Sequence, residues 1–147
     1  MKKILLISDT HGYIDNVIIK YAKWADEVWH AGDIGSIKII DELKKYSFLR
    51  AVYGNIDDNL IRSLYPKNNM FKCEGLNVLI THIGGYPNNY AKDIPKLLIT
   101  NKIKIFISWN YVHNITKIFL ILSLFELLFY PRISNMPLIK LHWPRIL

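Results

Sequence analysis

Four short stretches of the chain carry side chains able to hold a metal ion: Asp9-Thr10-His11, Gly32-Asp33, Gly54-Asn55 and Thr81-His82. Carboxylate, imidazole and amide donors together suit borderline divalent ions such as Mn, Fe, Co, Ni or Zn better than Ca or Mg alone. Asp33 has two carboxylate oxygens, one for each of two ions, and the glycine before it lets the backbone approach without a Cβ clash. Taken singly, each stretch has a plainer reading. Asp9 could cap a helix, Gly54-Asn55 could be a turn, and His82 could be a satisfied core histidine. The ordered set, each member following an apolar run, is far more specific than any one of them.

The elements that must position these residues are visible as alternating patterns. Residues 3–7 are an apolar run ending at Ser8-Asp9, which predicts a buried strand leading into a loop. Helical spacing of apolar residues predicts a helix over 17–24, and 27–30 a short strand ending in Ala31-Gly32-Asp33. Ser36 is placed to cap a helix over 37–45. Residues 48–53 predict a third strand, ending in Gly54-Asn55. Strands at 70–73 and 77–81 flank Glu74-Gly75, a tight-turn pair, and the second ends at Thr81-His82. A helix over 90–99 with Pro95 in its first turn or at a kink, then a strand over 104–108, complete the regular part. Alternating βα units followed by a hairpin predict an α/β protein with a mixed sheet.

The chain of 147 residues is one domain's worth, with 51% hydrophobic and 21% charged residues, which excludes a disordered tail. One cysteine, Cys73, cannot build a disulfide framework, so a reducing, cytoplasmic setting is expected. The net charge is +7, yet the basic residues before Asp93 are interspersed with eleven of the twelve acids, and no basic stripe argues for nucleic acid. The apolar run over 118–130 contains Glu126 and, at thirteen residues, falls short of the roughly 20 a membrane span requires, so a buried or interfacial segment is expected.

Ser8-Asp9-Thr10-His11-Gly12, His30-Ala31-Gly32-Asp33, Val52-Tyr53-Gly54-Asn55-Ile56-Asp57 and Thr81-His82-Ile83-Gly84-Gly85-Tyr86-Pro87 resemble the motif series of calcineurin-like metallophosphoesterases, in particular the compact bacterial phosphodiesterases. The resemblance covers residues 1–108 and implies a four-layer α/β/β/α sandwich of mixed sheets. It implies a hydrolase acting on ester bonds, with two divalent metal ions, Mn foremost and Ni, Co, Fe, Zn or Mg as alternatives. Asp9 and His11 would bind the first ion, Asp33 would bridge, and Asn55 and His82 would bind the second. Asp33, Asn55 and His82 are thereby the catalytic set, holding ions that acidify a bridging water for in-line attack on a small phosphodiester. Larger members carry a histidine, a candidate general acid, where this chain has Ile56. That points to activated diesters. Tyr86, Asn88 and Asn89 follow the His82 loop and are candidates for the substrate pocket. Self-association is left open.

The resemblance breaks after Ser108. The family continues with Gly-His-x-His, whereas this chain reads Trp109-Asn110-Tyr111-Val112-His113-Asn114, with no glycine or aspartate beyond that point. His113 is a weak stand-in for one of the missing pair. Residues 1–147 are therefore read as a single domain, family-like over 1–108 and divergent over 109–147, with its C-terminal part incomplete or replaced by a helix. A shift of reading frame near codon 108 is the favoured origin of the tail, with a lineage-specific helical terminus as the alternative. A non-catalytic scaffold of the same fold, or an inactive truncated product, is the alternative function.

Overall fold

The computed structural model describes residues 2–86, 89–109 and 118–122, the last of these as backbone. The first half is three βα units. Strands β1 (Ile4–Ile7), β2 (Glu27–His30) and β3 (Phe48–Ala51) alternate with helices α1 (Asn16–Trp24), α2 (Ile37–Lys44) and α3 (Asn59–Leu64). All three strands pair in parallel in the order β1-β2-β3, with Ile7 opposite His30 and His30 opposite Ala51. Each helix begins at a side-chain cap: Asp15 accepts from the Ile18 amide, Ser36 from Lys38 and Asp58 from Ile61. Such caps satisfy amides that a helix start leaves open, typically for about 1 kcal/mol.

The second half is a mixed sheet. Strands β4 (Asn68–Cys73), β5 (Leu76–Thr81), β8 (Ile105–Trp109) and β9 (Ile118–Leu122) lie in the order β4-β5-β8-β9. Only β5 and β8 pair in parallel. A small hairpin, β6 (Gly85–Tyr86) with β7 (Asn89–Tyr90), precedes helix α4 (Ile94–Thr100).

Period-two alternation decides the layers. Leu5 and Ile7 of β1 join Val28, Leu49 and Ala51 beneath helix residues Ala22, Ile39, Ile40, Leu43 and Ile61. Ile4 and Leu6 face the other way, packing with Trp29, Val78, Ile80, Ile105 and Ile107 between the two sheets. Trp29 of the first sheet meets Phe71 of the second edge-on at 5.0 Å between centroids. The outer face of the second sheet, through Leu79 and Phe106, is covered by Ile94 and Leu97 of α4. The order is helices, sheet, sheet, helix, as the motif resemblance implied. Both faces of β1 are buried, which is why its sequence reads as a continuous apolar run. β2 is equally buried but carries Glu27 and His30 at its ends.

Three differences from the sequence reading have physical causes. Helix α4 starts at Ile94 and not at residue 90, because Tyr90 is drawn into β7 and Pro95 occupies the first turn. Helix α3 follows a loop whose signal is dominated by Gly54-Asn55, and its six residues are too few for a helical period to stand out. Residues 118–122 form a strand and not the helix that is one of the alternatives for this segment. They pair antiparallel with β8, whose edge would otherwise present open amides and carbonyls. Ile118, Phe119 and Ile121 favour an extended backbone. The other residues of the divergent tail, His113 among them, lie outside the described residues, as does Asn88.

Candidate metal centre

Parallel strands end on a common edge, and that edge gathers the ligand loops. The β1–β2 pairing continues beyond both strands. The Asp9 amide donates to the Gly32 carbonyl at 3.0 Å, His11 to Asp33 at 3.1 Å and Gly12 to Ile34 at 2.8 Å. The Val52 amide donates to the His30 carbonyl at 3.1 Å, bringing the β3 loop alongside. His82 arrives from the second sheet. Its loop is pinned by β8, where the Trp109 amide donates to the His82 carbonyl at 2.9 Å. The Gly84 amide likewise donates to Ser108 Oγ at 2.8 Å.

These loops bring all five sequence-predicted residues to one place. Ligand atoms of Asp9, Asp33 and His82 lie within 4.8 Å of one another. His82 Nε2 is 3.3 Å from Asp33 Oδ1 and 3.1 Å from Asn55 Oδ1. His11 and Asn55 are exposed, and His11 Nε2 lies 3.6 Å from Asp9 Oδ1. Asp33 and His82 are buried.

The hydrogen bonds set the chemistry. His82 Nδ1 lies 2.7 Å from the Ala31 carbonyl, which can only accept, so Nδ1 carries a proton. Nε2 then faces Asp33 Oδ1 and Asn55 Oδ1 with its lone pair, an arrangement that a bound cation would relieve. Asp9 Oδ2 is buried with no hydrogen-bond partner. Burial pushes the Asp9 carboxyl above the usual carboxylate range, with the Ser8 hydrogen bond and His82 opposing it. Bound cations would reverse that balance. An acceptor-only cluster with an orphaned buried oxygen fits divalent metal ions. A backbone carbonyl holding the far nitrogen of a ligating histidine is the usual way such rings are oriented.

The backbone here is held in uncommon shapes. Asp9, His11 and Asp33 have φ of 56°, 48° and 54°, left-handed values that cost roughly 1–3 kcal/mol each outside glycine. Strain of this kind clusters at functional sites because the surrounding loops enforce it. Gly54 is required by proximity, since a Cβ there would lie 2.0 Å from Asp33 Oδ1.

Sequence reasoning left three supporting residues without a role. His30 is fully buried and links two ligand loops. Its Nδ1 accepts from the Gly32 amide at 3.3 Å, and its Nε2 is 2.9 Å from Thr10 Oγ1, which donates onward to the Ile34 carbonyl. Desolvation lowers the His30 pKa to about 3, with Asp57 opposing and His82 adding to the shift, so the ring is neutral. Asp57 accepts from the Gly35 and Gly54 amides, and Arg62 donates to the carbonyls of Asp57, Gly54 and Asn55. The only sequence signal for His30 and Asp57 was their place inside quoted motifs. Arg62 had none.

The chain matches the family model for the calcineurin-like phosphoesterase superfamily domain over residues 1–106. It belongs to that superfamily. Its fold resembles a predicted phosphoesterase from Streptococcus pneumoniae TIGR4, at a TM-score of 0.55 and 21% identity, over 75% of this chain and 62% of that one. It resembles an archaeal phosphodiesterase at a TM-score of 0.53 and 20% identity, over 80% and 82% of the two chains. It also resembles Vps29 from Entamoeba histolytica in complex with zinc, at a TM-score of 0.56 and 15% identity, over 71% and 62%. The chain thus spans less than two thirds of the S. pneumoniae protein. No curated protein sequence matches it. Among the described residues, no helix is long and apolar enough to cross a membrane.

Proposed function

We propose that this protein is a metal-dependent phosphodiesterase, with residues 1–147 as one domain, in which Asp9, His11, Asp33, Asn55 and His82 hold two divalent ions, manganese foremost. The carrying observation is the cluster in which the buried His82 Nε2 faces the buried Asp33 Oδ1 at 3.3 Å and the exposed Asn55's Oδ1 at 3.1 Å. Bound ions would supply positive charge to the phosphoryl oxygens and lower the pKa of a coordinated water. The chain's own contribution is orientation. The Ala31 carbonyl fixes the His82 tautomer, and the Ile56 amide donates to Asp33 Oδ1 at 3.1 Å. Ile56, half-exposed beside Asn55, offers no proton to a leaving group, which favours diesters whose leaving group departs as an anion. A small phosphodiester in the cytoplasm is the proposed substrate.

Hydrolysis of bis-p-nitrophenyl phosphate with Mn²⁺ or with chelator tests this reading, with Asp33→Ala and His82→Ala as controls. Activity that needs metal and is lost in both variants supports it. A folded chain that binds Mn²⁺ and leaves the diester intact refutes it in favour of a scaffold of the same fold.

A further inference from the structure

We propose that Asp57 is a positioning residue that sets the separation of Asp33 and Asn55, and that it is not a proton donor. The inference rests on the metal-centre reading above and extends it to a residue outside the ligand set. Asp57 is 4% exposed, and both its oxygens are committed. Oδ1 accepts from the Gly35 amide at 2.7 Å and Oδ2 from the Gly54 amide at 2.8 Å. Gly35 lies two residues after Asp33, and Gly54 immediately precedes Asn55. One carboxylate therefore ties the loop of one candidate ligand to the loop of the other.

The tie works against close packing. The two loops approach so tightly that a Cβ on Gly54 would lie 2.4 Å from the Asp33 amide nitrogen. Arg62 braces the far side, with Nε donating to the Asp57 carbonyl at 2.7 Å and Nη2 to the Gly54 and Asn55 carbonyls at 3.1 and 2.9 Å. Its guanidinium is held over the Tyr53 ring at 4.7 Å. A carboxylate suits this position because both partners are donors and two acceptors are needed. Charge-assisted bonds to backbone amides are also stronger than neutral ones. An amide side chain would supply one acceptor and turn its NH₂ toward the other N–H. A protonated carboxyl would likewise forfeit one of the two bonds, so the geometry that ties the loops excludes service as a proton donor.

The test is Mn²⁺ affinity by calorimetry for wild type, Asp57→Asn and Arg62→Met, well below each variant's melting temperature, alongside diester hydrolysis as a function of Mn²⁺. The expectation for Asp57→Asn is an affinity loss of about tenfold or more, the scale of lost supporting contacts around metal ligands. Its kcat should return to within about threefold of wild type once metal saturates, because no reacting group has been removed. Arg62→Met, which leaves the carboxylate in place, should show a smaller loss and covers the case in which Asp57→Asn does not fold. Wild-type affinity in both variants overturns the proposal. Unchanged affinity with a low kcat at saturating Mn²⁺ also overturns it, by assigning Asp57 to proton transfer. Since affinity is read without turnover, a wild type that binds Mn²⁺ but does not hydrolyse the diester defeats the functional reading alone.

Discussion

Gly54→Ala tests whether contact between loops, and not the mere presence of ligands, makes this site. Gly54 is outside the left-handed region, so alanine meets no backbone penalty there. The penalty is contact alone: the new Cβ would sit 2.0 Å from Asp33 Oδ1, 2.4 Å from its amide nitrogen and 2.8 Å from its Cγ. Ordinary contact begins at 3.4 Å, so Asp33 or the Gly54 loop must give way by more than an ångström. Overpacking of this kind costs about 1–3 kcal/mol. For a domain near this size each kcal/mol moves the melting temperature by about 2–4 °C, giving a fall of about 2–12 °C. The displacement acts directly on the 3.3 Å approach of Asp33 Oδ1 to His82 Nε2, so Mn²⁺ affinity should fall by about tenfold or more. Gly75→Ala is the control. Gly75 has φ +80° with nothing within 4 Å of its Cβ position, so the cost there is backbone strain of about 1–2 kcal/mol without a change in metal affinity. Differential scanning fluorimetry and calorimetry read both quantities. A Gly54→Ala protein with wild-type stability and wild-type Mn²⁺ affinity would refute the reasoning.

Three further outcomes follow from the same structure. His30 is neutral in the fold with a pKa of about 3, below the ordinary 6.5, so its contribution to stability is complete above 6.5 and is lost as pH falls from there toward 3. The slope is about 1.4 kcal/mol per pH unit, and urea titrations at pH 5 and 7 should show a shallower acid loss in His30→Asn. For Glu27, 2% exposed, desolvation is the largest single influence and pushes its pKa up, but hydrogen bonds from Arg50, Lys2 and the Trp29 indole together outweigh it and lower the pKa to about 2. Its contribution is present above about 4.5 and lost as pH falls through about 2. Glu27→Gln should therefore flatten the acid limb there without altering Mn²⁺ affinity, because Glu27 lies at the opposite end of β2 from the ligand loops. Mn²⁺ at a hundredfold excess over its dissociation constant should add about 2.7 kcal/mol of stability. Chelator should remove that gain in a thermal melt, and His82→Ala should not show it.

Much of the fold was legible because local chemistry and tertiary demand coincide. The runs before Asp9 and His82 are apolar because their strands are buried on both faces. Glu74-Gly75 reads as a tight turn because both residues take positive φ, 50° and 80°. Boundaries failed where a neighbour captured residues, as β7 does with Tyr90. The strand at Ile118–Leu122 is set by pairing with β8, which no period within the segment reveals.

The sequence by itself determined which residues are the candidates for holding metal. Asp9, His11, Asp33, Asn55 and His82 each sit just past a strand end; the parallel sheet delivers the first four to one edge, and β5 of the second sheet brings His82 to them. Only the tertiary structure decided how they are held. The contacts that orient them join residues far apart in the chain: Thr10 with His30, Ala31 with His82, and Gly35 with Asp57, separated by 20, 51 and 22 positions. No local pattern encodes such pairs, because a hydrogen bond across loops depends on where two strands place their ends and not on what lies beside either residue.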